Sequence, residues 1–82
     1  MNKLFTLLEK NNTKELHLFR SKRNSSGDCY AEEEESICKK MHLEERKSVK
    51  FSCLDKYNAR KECAEIGEEV CGTCVSALYS KY

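Results

Sequence analysis

The chain has 82 residues, 15 Lys and Arg against 14 Asp and Glu, and six cysteines. One small domain of this length cannot bury a large core, so a metal or disulfide staple is expected. The near-balanced charge offers no single-sign field of the kind a general nucleic-acid binder carries.

At the N-terminus an apolar run over 4–8 is broken by Glu9. It is shorter than the roughly 7–15 apolar residues of a secretory signal, and no stretch spans a membrane. If the chain is complete, the expectation is a cytoplasmic protein, with thiols reduced and metal-bound or inert rather than paired.

Residues 3–20 read as a β-hairpin. Apolar runs at 4–8 and 15–19 flank Asn11-Asn12, and Asn tolerates the positive φ of a two-residue turn. That turn would set Glu9 opposite Lys14 and Leu7 opposite Leu16. A helix over 3–10 is the rival, since Leu4, Leu7 and Leu8 also fit one helical face.

Residues 20–28 form a polar loop. Glu32, Glu33, Glu34 and Glu35 make an acidic run, ordinarily a solvated turn. Ser36-Ile37-Cys38 reads as a short strand or a helix start, 43–48 as a charged connection, and 49–51 as a brief strand. Ser52-Cys53-Leu54-Asp55 fits a capping box. Ala59, Cys63, Ile66 and Val70 then recur at helical spacing, and the helix stops near Gly67. The reading is a single α+β domain over 1–82: N-terminal hairpin, central helix, and a C-terminal zinc knuckle with a short helix from Val75.

Cys71-Gly72-Thr73-Cys74 carries the chemistry. A C-x2-C pair on a tight turn presents two thiolates, half of a tetrahedral zinc site. A following helix N-terminus favours thiolate. Cys38 and His17 are the favoured remaining ligands. The plain alternative for His17 is a half-buried imidazole with a carbonyl partner. Cys38 and His42, four apart, would share a face only on a helix, and Cys29 is another possible ligand. Cys53 and Cys63 read as small core hydrophobes.

Leu16-His17-Leu18, Ser36-Ile37-Cys38 and a terminal Val70-Cys71-Gly72-Thr73-Cys74 before a short helix together resemble small zinc-binding proteins of bacteriophages and prophages. The resemblance implies His17, Cys38, Cys71 and Cys74 as the ligands of a structural zinc. It also implies a non-enzymatic protein that binds a host protein or nucleoprotein complex, as anti-CRISPR inhibitors do. Lys39 stands where that pattern has glycine after the middle cysteine. The acidic run at Glu32, Glu33, Glu34 and Glu35 is the expected partner contact, suited to a basic groove.

Three rival readings remain. C-G-x-C looks thioredoxin-like, but that fold places most of its sheet after the motif, and eight residues follow Cys74. A secreted disulfide-rich peptide, a toxin or signalling ligand released by cleavage after Arg23, is the alternative function; its cysteine spacing partly resembles sea-anemone channel toxins. A small nucleic-acid-binding zinc finger is the third, opposed by the acidic run and by scattered aromatics. No catalytic constellation is evident, so the expectation is not an enzyme.

Overall fold

The computed structural model describes residues 3–67 and 69–79. The single domain expected over 1–82 thus extends slightly beyond the described residues. Leu4–Lys10 forms strand β1 and Leu16–Arg23 forms β2, paired antiparallel as expected. Both faces of this hairpin are covered. Phe5, Leu7, Leu16 and Leu18 enter the larger core cluster, while Leu8 and Phe19 join Met41 in a smaller one. Covering on both faces turns alternation into short continuous apolar runs, the pattern that lets a helix compete on paper.

The register differs from expectation. Leu7 faces Leu18, and Glu9 faces Leu16 rather than Lys14. The turn is longer than two residues: the Lys10 N–H donates to the Glu15 carbonyl at 2.8 Å. Asn12 and Lys14 both take left-handed backbone, with φ of 67° and 63°. A two-residue slip leaves every side chain on its original face. The apolar pattern therefore cannot distinguish the two registers, and the turn decides between them.

Strand β2 continues through Arg23, beyond the expected start of the polar loop. It pairs there with β3, Cys29–Ala31. The stretch expected to connect divides between a 3-10 turn, Leu43–Glu45, and strand β4, Arg46–Asp55, which also takes in the expected capping box. Helix α1, Lys56–Ile66, is capped instead by Asp55, whose carboxylate accepts the Asn58 N–H at 2.8 Å. Ser52 cannot serve as the cap because the next residue is pinned in the sheet. The Cys53 N–H donates to Thr6 Oγ1 at 3.1 Å, and the Cys53 sulfur is bonded to Cys29.

The sheet order is β3-β2-β1-β4. Leu4 pairs with Asp55 and Lys10 with Arg46, so six steps on β1 match nine on β4. The difference of three equals the three register shifts between them. Bulges bend and twist a strand, and three of them curl β4 toward β3 at the opposite edge. The Cys29–Cys53 disulfide joins those two edges. This corrects two expectations: Cys53 is buried but not a free thiol, and Cys29 is not available as a metal ligand.

Helix α1 ends as expected at Gly67, whose φ of 87° suits a residue without Cβ. Ala59 and Cys63 are buried against the larger cluster, with Ile66 packed beside it. Val70 lies beyond the helix and joins the core through a parallel bridge to Leu16. Helix α2, Gly72–Tyr79, buries Cys74, Ala77 and Leu78, and Cys74 and Leu78 enter that same cluster. No helix among the described residues is long and apolar enough to cross a membrane.

Candidate metal centre

Strand β3 covers only the Ser21, Lys22 and Arg23 end of β2. The other end presents backbone groups that need partners, and two distant segments dock on it. The Leu16 N–H donates to the Glu69 carbonyl at 3.0 Å, and the Cys71 N–H donates to the Leu16 carbonyl at 2.8 Å. Just along the strand, the Ile37 N–H donates to the Leu18 carbonyl at 2.8 Å. Main-chain pairing thus brings Cys71 and Cys38 to the same stretch of strand as His17, which lies between Leu16 and Leu18.

The two segments hold their cysteines differently. Cys71 immediately precedes α2 and Cys74 lies in its first turn, with the Val75 N–H donating to the Cys71 carbonyl at 3.0 Å. The helix thus opens at Gly72, three residues earlier than expected. The C-x2-C pair is a helical pair rather than a free-standing turn, and the space where a Gly72 Cβ would point is open. Cys38 sits in a turn closed by the Lys39 N–H donating to the Ser36 carbonyl at 2.9 Å. Lys39 takes φ of 64°, the region glycine favours. It departs from the glycine expectation in side chain but not in backbone conformation.

The ligand atoms of His17, Cys38, Cys71 and Cys74 all lie within 4.8 Å of one another. His17 Nδ1 is 3.2 Å from Cys38 Sγ and 3.8 Å from Cys74 Sγ. Tetrahedral zinc with ordinary bond lengths sets its ligand atoms about 3.5–3.8 Å apart. The cluster therefore needs only small side-chain adjustments to hold such an ion. His17 is 2% exposed, with its ring nitrogens directed at thiols and at the Glu15 carboxylate.

The thiols differ in proton affinity. Burial pushes Cys38 up, but hydrogen bonds from Ser36, the Lys40 backbone, Cys74 and His17 outweigh it and bring the thiol down to about 6. Burial dominates at Cys74 and raises it well above the ordinary range, despite backbone hydrogen bonds that oppose the shift. Thiols that bind a metal give up their protons to it, so metal binding at this cluster would release protons.

Cys63 stands apart from this cluster. It is buried, and burial together with the Glu62 charge pushes its thiol up to about 11. Cys63→Ala is expected to cost about 1 kcal/mol, as for a small buried hydrophobe. Its metal content should equal that of the native protein. Thermal melting and metal analysis of the variant check both, and metal loss would place Cys63 in the site.

His42 does not join the site. The segment after Cys38 is not helical, and His42 Nε2 instead lies 3.9 Å from Glu35. In the acidic run, Glu32, Glu33 and Glu34 are exposed and Glu35 is half-buried. Its backbone is anchored at both ends: Glu32 N–H donates to the Arg20 carbonyl, and the Glu34 carbonyl accepts the Leu43 N–H. Sequence reasoning missed Glu15 beside His17 Nε2 at 3.4 Å and the Ser36 hydroxyl beside Cys38 Sγ at 3.1 Å. Glu15 stands two residues before His17 on extended chain, a spacing that places it on the same face, whereas Ser36 reaches Cys38 across the turn that the Lys39 N–H closes.

Comparison of the chain with protein families, curated proteins and solved structures found no match.

Proposed function

We propose that this chain is a zinc-stabilised, non-catalytic binding protein. The observation that carries the reading is the convergence of His17, Cys38, Cys71 and Cys74 on one small volume. Three thiolates and an imidazole are donors that suit zinc. With all four engaged, a tetrahedral ion keeps no position for water or substrate, which makes its role structural. Intact mass in non-denaturing buffer tests this. One zinc, together with the loss of two hydrogens for the single Cys29–Cys53 bond, is expected. Loss of six hydrogens and no zinc would overturn it.

The Cys29–Cys53 bond favours a second reading, a protein of an oxidising compartment. Processing after Arg23 fits poorly with it. Cleavage there would remove β1 and β2, the two central strands, and with them Phe5, Leu7, Leu16, Leu18 and the ligand His17.

The partner we propose is a host protein or nucleoprotein with a basic face, met by the acidic run. Three exposed carboxylates on an anchored backbone would steer association and weaken with salt. A variant with Glu32, Glu33, Glu34 and Glu35 all changed to Gln is expected to recover less partner from bacterial lysate at low salt. Equal recovery at all salt concentrations would remove the run from the interface.

A further inference from the structure

We infer that Glu15 is the positioning residue of the metal site, fixing the tautomer and ring orientation of His17. The inference rests on the metal reading above. His17 presents Nδ1 to the thiols, so Nε2 is the nitrogen that must carry the proton when Nδ1 binds metal. Nε2 lies 3.4 Å from Glu15 Oε1. That is long for a hydrogen bond, and withdrawal of charge from the ring by a bound cation would strengthen it. A ligating histidine generally donates its second N–H to a carboxylate, carbonyl or water. Here the carboxylate comes from the residue just before β2, two residues upstream.

The backbone accounts for why Glu15 can do this. Its carbonyl accepts the Lys10 N–H and its N–H donates to Thr13 Oγ1 at 3.3 Å. Lys14 before it is held in left-handed backbone. The loop thus closes on Glu15 and sets its side chain on the His17 side of the extended chain. The Glu15 side chain is 58% exposed, so the fold does not depend on it for packing.

The test compares native protein, Glu15→Ala and Glu15→Gln in zinc competition against a chromophoric chelator. Exchange of the His17 Nε2 proton is followed by NMR in the zinc-loaded forms. Glu15→Ala is expected to weaken zinc binding by about tenfold to a hundredfold and to speed Nε2 proton exchange. Glu15→Gln keeps an acceptor oxygen and should recover most of the affinity. The zinc-loaded forms should give the same circular dichroism spectrum, which separates positioning from a general structural role. Equal affinity in native protein and Glu15→Ala would overturn the role of Glu15 alone. Weakened affinity with unchanged Nε2 exchange would also overturn it. Native protein that binds no zinc would overturn the metal reading, and the role of Glu15 with it.

Discussion

Treatment with a strong chelator is expected to remove helical signal and to open the protein to proteolysis around residues 36–42 and 69–79. Both segments reach β2 through few main-chain bonds: Ile37 to Leu18, and the Leu16 pairs with Glu69 and Cys71. Without a cation, Cys38, Cys71, Cys74 and His17 are three thiols and an imidazole sharing one partly buried volume. Structural zinc contributes roughly 10 kcal/mol or more to folding. The net stability of a domain is about 5–15 kcal/mol. Loss of the metal therefore removes a term as large as the whole. Cys74→Ala should act in the same way, because Cys74 is both a member of the proposed metal site and a fully buried member of the core. Circular dichroism, limited proteolysis and zinc content check the result. A chelated protein with an unchanged spectrum and melting temperature would mean that the core alone holds the fold.

The gathering of His17, Cys38, Cys71 and Cys74 was legible in the sequence because metal-donor chemistry is restrictive. A terminal C-x2-C needs two more donors, and few upstream residues offer them. The hairpin was legible for a similar reason, since two apolar runs around Asn11-Asn12 leave few alternatives. Its register was not legible, because a slip of two residues conserves face parity and only the loop geometry separates the choices. Strand β4 was hidden by its charges. Arg46, Lys47 and Lys50 lie on an edge strand, where charge is ordinary. The helix start was misplaced by three residues because Ser52 and Asp55 are both competent caps. Only long-range contacts of Cys53 with Thr6 and Cys29 decide between them.

The disulfide was the least legible feature. Cysteine spacing does not encode pairing, and the approach of β3 to β4 depends on three bulges that no local signal marks. The same topology explains how one chain keeps a disulfide and free thiols apart. Cys29 and Cys53 close the sheet edges, whereas Cys38, Cys71 and Cys74 gather at the uncovered end of β2.

Replacing Cys29 and Cys53 together with alanine is expected to lower stability by about 3–4 kcal/mol and to leave zinc stoichiometry at one. The bond closes a loop of sequence separation 24, and a cross-link of that span restricts the unfolded chain by about that amount. Alanine at position 53 would gain nothing in exchange. The backbone there has φ of 46°, which disfavours any side chain with a Cβ. Neither residue belongs to the metal cluster, and distant sites contribute nearly independently. Urea unfolding of the zinc-loaded variant should therefore show an earlier midpoint, and a reductant should shift the native protein in the same direction. Two results would break the argument. An unchanged midpoint would mean that the curled sheet keeps β3 and β4 together without the bond. Concurrent loss of zinc would mean that closure of the sheet edges also positions the uncovered end of β2, so that the two staples act as one.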